Sequence, residues 1–268
     1  MSAPAAAEAS AATTRGPILE ARGITKRFSG ISALTDVDLD VYPGEMVGLI
    51  GPNGAGKTTF FNCLLGMLKP EAGTVHFDGR DVTRWPVHRR ARLGFGRTFQ
   101  RLELFSGMTV REHFLVTERA RNRNGSLWKD LLNLAKPTAD EQALAERMLE
   151  ILNLEVEADK AVESLSLGRG RLVELGRALM TQPKLLLLDE PSSGLDVRET
   201  TSIAERLAAV QAQHEFAVLL VEHDVDMVSS LVSRLYVLDF GELIARGPTK
   251  EVLGDAEVRK AYLGDVDA

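Results

Sequence analysis

The chain has 268 residues, a formal net charge of −6, 44% apolar and 26% charged residues, which suits one globular α/β unit carrying a subdomain. No apolar run approaches the roughly 18 residues of a membrane span. The single cysteine, Cys63, excludes an intrachain disulfide and disfavours a thiolate metal cluster, and the acidic balance argues against nucleic acid as a main partner.

Residues 1–15 are Ala-rich, with Arg15 the first basic residue, and read as a disordered tail rather than a signal peptide. Residues 18–45 read as β, with Val37, Leu39 and Val41 alternating with Asp38 and Asp40 to leave one face wet. A Tyr42–Glu45 turn leads into a buried strand, Met46–Ile50. Gly51-Pro52-Asn53-Gly54-Ala55-Gly56-Lys57-Thr58-Thr59 follows, and Phe60–Leu68 reads as a helix. Lys69–Gly73 is a turn before a strand at Thr74–Asp78. Gly94–Phe99 leads to Gln100 at another strand end, and residues 101–180 read as mainly helical, with a polar stretch at Arg119–Ser126. Lys184–Asp189 is a buried strand, Glu199–Gln213 a helix with Ile203, Leu207 and Val210 on one stripe, and Phe216–Val221 and Leu235–Leu238 further strands. Alternating strands and helices predict a mostly parallel sheet with right-handed crossovers.

Residues 51–59 fit G-x-x-x-x-G-K-[ST], the loop that cradles nucleotide phosphates, here in its required setting between strand and helix. Backbone N–H groups must converge on phosphate oxygens, so glycines stand where a Cβ would block the approach. Lys57 supplies a cation for the β- and γ-phosphates, the Thr58 hydroxyl is a Mg²⁺ ligand, and the helix N-terminus faces the anion. The chain therefore reads as binding ATP or GTP. Asp189 and Glu190 close an apolar strand at the edge where ligands of parallel sheets gather. Asp189 is placed to hold Mg²⁺, directly or through water, and Glu190 to polarise the attacking water as general base. His223, just past Phe216–Val221, can reach the γ-phosphate edge, and the Gln100 carbonyl can ligate Mg²⁺ or orient water.

Upstream of the acidic strand lies Leu165-Ser166-Leu167-Gly168-Arg169-Gly170, continuing to Arg177-Ala178-Leu179. Here the chain resembles the ATP-binding subunits of ABC transporters, whose Leu-Ser-Gly-Gly-Gln signature sits in this place. The resemblance runs in order through the phosphate loop, Gln100, the signature, Asp189-Glu190, Ser193-Gly194-Leu195-Asp196 and His223, over about residues 18–264. It implies a P-loop ATPase with a mostly parallel core sheet, an N-terminal antiparallel β-subdomain and a helical subdomain at about 101–180, the ATP-binding domain spanning 16–264 and residues 265–268 forming a tail. It also implies two ATPs sandwiched head to tail between two ATPase subunits, of the same or different chains. Phe28 would stack on adenine. Gly51, Pro52, Asn53, Gly54, Ala55, Gly56, Lys57, Thr58 and Thr59 would hold ATP with Mg²⁺, and Ser166 and Gly168 would meet the γ-phosphate of the opposite subunit. Lys57, Gln100, Glu190 and His223 would drive hydrolysis, and Thr58, Gln100 and Asp189 would hold the metal. Transmembrane permease subunits would dock near Gln100, with Leu104–Val110 as the expected contact, on the cytoplasmic face of the inner membrane. An extracytoplasmic solute-binding protein would act on them indirectly.

Gly51–Cys63, Arg97–Gln100 with Leu104-Phe105 and Met108–Val110, the insertion around Ser126–Asp140 and the ending Ala261–Gly264 are similar to the longer ATPase of branched-chain amino acid importers. ATPases for urea, amides or lipopolysaccharide export share several of these features. A soluble ABC ATPase acting on nucleic acid is a further alternative, drawn from the arginines at 80, 84, 89, 90, 92, 97 and 101. Against it stand the acidic charge and the lack of coiled coils or a second cassette. The chain departs from its relatives at Arg169, where they usually carry Gln, followed by Gly170, and at Gly176, where Ala is usual. Arg169 is either neutral or an added charge near the opposite γ-phosphate.

Overall fold

The computed structural model describes residues 16–98, 104–122 and 137–263. Among these residues ten strands build two sheets. The first is antiparallel, in the order β2-β1-β4-β5, from β1 (Leu19–Phe28), β2 (Ile31–Val41), β4 (Ala72–Phe77) and β5 (Arg80–Asp81). The second has the order β10-β9-β3-β8-β7-β6, from β3 (Met46–Ile50), β6 (Phe95–Arg97), β7 (Leu185–Asp189), β8 (Ala217–Val221), β9 (Arg234–Asp239) and β10 (Glu242–Pro248). Its pairs are parallel except β9 with β10.

The continuous apolar runs of β3, β7 and β8 are those of strands covered on both faces, and every residue of the three is buried. Successive side chains alternate faces. Leu185 and Leu187 therefore join a core with Phe60, Leu64 and the antiparallel sheet. Leu186 and Leu188 join the opposite core with the helices that follow. Those helices are α3 (Val110–Asn122), α4 (Ala139–Leu152), α5 (Leu167–Met180) and α6 (Val197–His214). The helical layer thus shares one core with the sheet, in which Phe114, Leu149, Leu152 and Leu175 meet Leu188 and Leu220.

The helix after the phosphate loop, α1 (Lys57–Leu65), begins three residues before the predicted Phe60 and ends before Leu68, at Gly66 in a left-handed conformation. Its last carbonyls are capped by Arg90 from α2 (Val87–Ala91), a side chain only 1% exposed. Arg90 Nη1 donates to Cys63 and Leu64 carbonyls at 3.0 and 2.5 Å, Nη2 to Thr83 O at 3.0 Å and Nε to Trp85 O at 3.1 Å. A cation at a helix C-terminus complements the macrodipole. Three short α-helices follow among the described residues: α7 (Val225–Leu231), α8 (Thr249–Gly254) and α9 (Ala256–Leu263). None of them, nor β10, is anticipated by the sequence reading. Among the described residues no helix is long and apolar enough to cross a membrane.

Candidate nucleotide site

The site forms at the carboxyl ends of β3, β7 and β8, where the parallel ladder aligns Met46–Leu49 with Val218–Val221 and Leu185–Asp189 with Ala217–Val221. The phosphate loop leaves β3 at Gly51. Gly56 adopts φ 99°, and a Cβ there would lie 2.6 Å from the Ala33 carbonyl oxygen, so only glycine admits this close turn. Pro52, Asn53, Gly54, Thr58 and Thr59 keep some solvent exposure, whereas Gly51, Ala55 and Lys57 are buried. Lys57 Nζ donates to Gly51 O at 2.7 Å and Pro52 O at 3.0 Å, which holds its cation inside the loop. Burial lowers the Lys57 pKa, opposed by the charges of Glu190, Asp189 and Glu222. A buried cation in a cradle that excludes Cβ atoms fits an anionic phosphate chain.

Asp189, 8% exposed, ends β7. Burial, joined by the charges of Glu190 and Glu222 and opposed by Arg97 and Lys57, pushes its carboxyl up to about 6. A carboxyl so crowded by negative charge suits a bound cation, which would restore its ionised form. With the Thr58 hydroxyl at the start of α1, it makes a hard-oxygen donor pair of the kind Mg²⁺ takes. Glu190 has φ 46°, a left-handed conformation costly for a non-glycine residue. It is held there by its N–H donating to Val221 O at 2.8 Å and its carbonyl accepting from Ser193 N at 3.1 Å. His223 Nδ1 lies 3.9 Å from Glu190 Oε1 and 3.7 Å from Glu222 Oε2.

Glu222 has no role in the sequence reading, yet it is fully buried. Its Oε1 accepts from Ser192 N at 2.8 Å, and its Oε2 from His223 N at 3.0 Å and Asp224 N at 3.4 Å. A Glu beside a polar tripeptide looks like a solvated loop residue. The hint in the sequence is that it directly follows six apolar positions, Phe216–Val221.

The signature is built separately. Ser166 is the N-cap of α5, its side chain accepting from Arg169 N at 3.3 Å. Its Oγ donates to Glu199 Oε1 at 3.4 Å, and a Cβ on Gly168 would lie 2.5 Å from that same oxygen. Ser166 is exposed and Gly168 buried. Arg169 turns back onto its own subunit: Nη1 donates to Asn153 O at 2.7 Å and Nε lies 3.9 Å from Glu157. Gly176 is a contact position, where an added Cβ would come within 2.6–2.7 Å of Leu152 and Phe114. Phe28, at the end of β1, is 45% exposed, with Lys26 Nζ 5.4 Å from the ring centroid. An exposed aromatic beside a cation is available for stacking, unlike a strand-core residue. Gln100 and the two chain ends lie outside the described residues.

The expected docking segment is described from Leu104. Phe105 is exposed, its ring 5.1 Å from the Arg177 guanidinium of α5 and 5.8 Å from the His113 ring. His113 Nε2 accepts from Phe105 N at 2.9 Å while its Nδ1 faces Thr109 O at 2.9 Å. This pattern requires the neutral Nδ1-protonated tautomer, and burial lowers the His113 pKa accordingly.

A phosphate loop, an acidic strand end, a histidine past the next strand and a separate capped signature define a nucleotide-binding cassette. Residues 34–193 match the family described as ABC transporter, and residues 242–268 match that described as branched-chain amino acid ATP-binding cassette transporter. The chain is 39% identical over 252 residues to the high-affinity branched-chain amino acid transport ATP-binding protein LivG of Escherichia coli K12, covering 93% of this chain and 98% of that one. It is 39% identical over 255 residues to BraF of Pseudomonas aeruginosa, named for the same transport, with the same coverage. A crystal structure of a nucleotide-free ATP-binding cassette from an ABC transporter superposes with a TM-score of 0.80 at 33% identity, covering 93% of this chain and all of that one. The chain belongs to the ABC transporter ATP-binding family.

Proposed function

We propose that the chain hydrolyses ATP to power import of branched-chain amino acids, paired head to tail with a second ATPase subunit beneath transmembrane permease subunits at the cytoplasmic face of the inner membrane. The solute is supported by the names of LivG and BraF and by the match at residues 242–268. The observation that carries the reading is the convergence of Lys57, Asp189, Glu190 and His223 at one sheet edge, while Ser166 and Gly168 pack on Glu199 of α6 at the start of a separate helix. Such a site is completed by a signature from outside.

In this scheme Lys57 and the loop N–H groups bind the phosphates, and Phe28 stacks on the base. Thr58 and Asp189, with Gln100, would hold Mg²⁺, which supplies charge neutralisation at the phosphates when bound. Glu190 takes a proton from the attacking water, and His223 orients the γ-phosphate edge. Catalysis is positioning plus charge stabilisation, so it awaits closure of the pair. Closure is transmitted through Leu104–Val110, whose Phe105 stacks under Arg177 of the signature helix. An extracytoplasmic solute-binding protein would deliver the cargo to the permease.

The test is purification of the chain with its co-isolating permease, reconstitution in vesicles with the binding protein, and ATPase assay with candidate solutes. Leucine, isoleucine or valine should stimulate turnover and be taken up, and urea should not. Stimulation by urea alone would assign another solute.

A further inference from the structure

Glu222 is a carboxylate that no part of this scheme uses. It is fully buried at the end of the central strand β8. An unpartnered charge there would be costly, but three backbone N–H groups converge on it. Ser192 N belongs to the loop two residues after Glu190, and His223 N and Asp224 N belong to the loop carrying the histidine. The Glu222 N–H itself donates to Leu49 O of the phosphate-loop strand at 3.4 Å. One residue thus ties together the three strand ends that carry Lys57, Glu190 and His223. The His223 ring sits beyond hydrogen-bond range of both Glu190 and Glu222, at 3.9 and 3.7 Å, and its side chain is 55% exposed. Its backbone is held by Glu222, which accepts from His223 N and Asp224 N.

We propose that Glu222 is a positioning residue for hydrolysis: its carboxylate clamps the loop after Glu190 to the loop of His223, so that the base and the histidine keep one fixed relation to the phosphate loop. This rests on the ATP-hydrolysis reading above. The two oxygens divide the work between the two loops, and that makes the isosteric amide diagnostic. Glu222→Gln keeps volume and one acceptor but replaces the other by an NH₂ group. In either orientation a donor then faces a donor, at Ser192 or at His223 and Asp224, and the link between the loops is lost.

The test compares wild type, Glu190→Gln, Glu222→Gln, His223→Ala and the double variant Glu222→Gln/His223→Ala in the complex assembled with its permease. Turnover, KM for ATP and melting temperature are measured for each. If the inference holds, Glu222→Gln lowers kcat at least about fivefold, a partial loss of the roughly 10²–10⁴-fold that a positioned acid–base group contributes, while KM for ATP stays within about threefold. On the His223→Ala background the same substitution costs less than it does alone, because residues acting through one another are non-additive. A smaller fall in kcat, or an equal fall on the His223→Ala background, overturns it. So does a drop of more than about 10 °C in melting temperature, which would assign the carboxylate to the fold. Equal turnover by wild type and Glu190→Gln would overturn the hydrolysis reading itself, and the positioning role with it. The two failures are distinguishable because only the narrower one leaves Glu190→Gln inactive.

Discussion

Asp189 carries an electrostatic cost that its own fold imposes, through burial and the neighbouring Glu190. Its carboxyl is pushed up to about 6, chiefly by burial and next by Glu190, whereas an unfolded chain leaves it near its ordinary value of about 3.9. Between those values the folded state binds the proton more tightly, so stability of the nucleotide-free protein falls as pH rises through about 4 to 6 and the full penalty persists above. Asp189→Asn should therefore raise stability by about 1–3 kcal/mol at pH 7.5, with the gain shrinking towards zero near pH 4. Denaturant titrations at the two pH values measure it. Equal stability of variant and wild type at pH 7.5 would show that the carboxylate is better solvated than its 8% exposure suggests.

Arg169 illustrates the opposite case, a signature departure with a local explanation. Its guanidinium satisfies the carbonyl of Asn153, the left-handed residue that ends α4, and leaves the Glu157 contact long at 3.9 Å. Arg169→Gln should cost about 0.5–1 kcal/mol of stability, the scale of one hydrogen bond, and leave ATP turnover of the assembled complex within about twofold. A large change in turnover would return Arg169 to the opposite subunit's γ-phosphate.

At the scale of elements, α5 is held by fit more than by propensity. Ala is the better helix former by about 1 kcal/mol, yet at Gly176 its Cβ would press on Phe114 of α3 and Leu152 of α4, both fully buried. Overpacking of this kind costs about 1–3 kcal/mol, so Gly176→Ala should be net destabilising. Phe114→Leu should be tolerated better beside Gly176→Ala than alone, giving a favourable coupling of about 1 kcal/mol in a double-mutant cycle. Additive losses would mean that the helices simply shift apart. The sequence shows Gly176 only as a propensity defect, because the partners that use the missing side chain lie about 25 and 60 positions away.

The same distinction explains what was readable elsewhere. β3, β7 and β8 were legible because two-sided burial writes itself as an unbroken apolar run, and the phosphate loop because its glycines answer a steric demand visible in one segment. The edge strand β10 was not, since its half-exposed residues carry neither alternation nor a continuous run. The extent of α1 differs from the expected Phe60–Leu68 at both ends, where Lys57 already lies in the helix and the Arg90 cap closes it from a distant element. Of the proposed site, Lys57, Asp189, Glu190 and His223 are marked in the sequence by motif and strand-end position. The buried supports are not: Glu222 and Arg90 owe their roles to backbone groups that no side-chain pattern encodes.

For the whole molecule, the two sheets must move as one body if closure at the nucleotide is to reach a membrane partner. Arg234 of β9 joins them, pairing with Asp40 of β2 at 3.0 Å and Glu45 at 2.8 Å and donating to the Tyr236 hydroxyl at 2.9 Å. The helical layer is fastened through the core it shares with the parallel sheet. A rigid cassette of this kind couples chemistry to motion only if its acidic strand end performs the hydrolysis. The most direct measurement is ATP turnover by the assembled complex of wild type and Glu190→Gln, with nucleotide binding measured in parallel. The expected result is unchanged ATP affinity with turnover reduced at least about 100-fold, the scale of a removed general base. Turnover by Glu190→Gln at the wild-type rate would contradict the assignment of the β7 strand end as the hydrolytic centre.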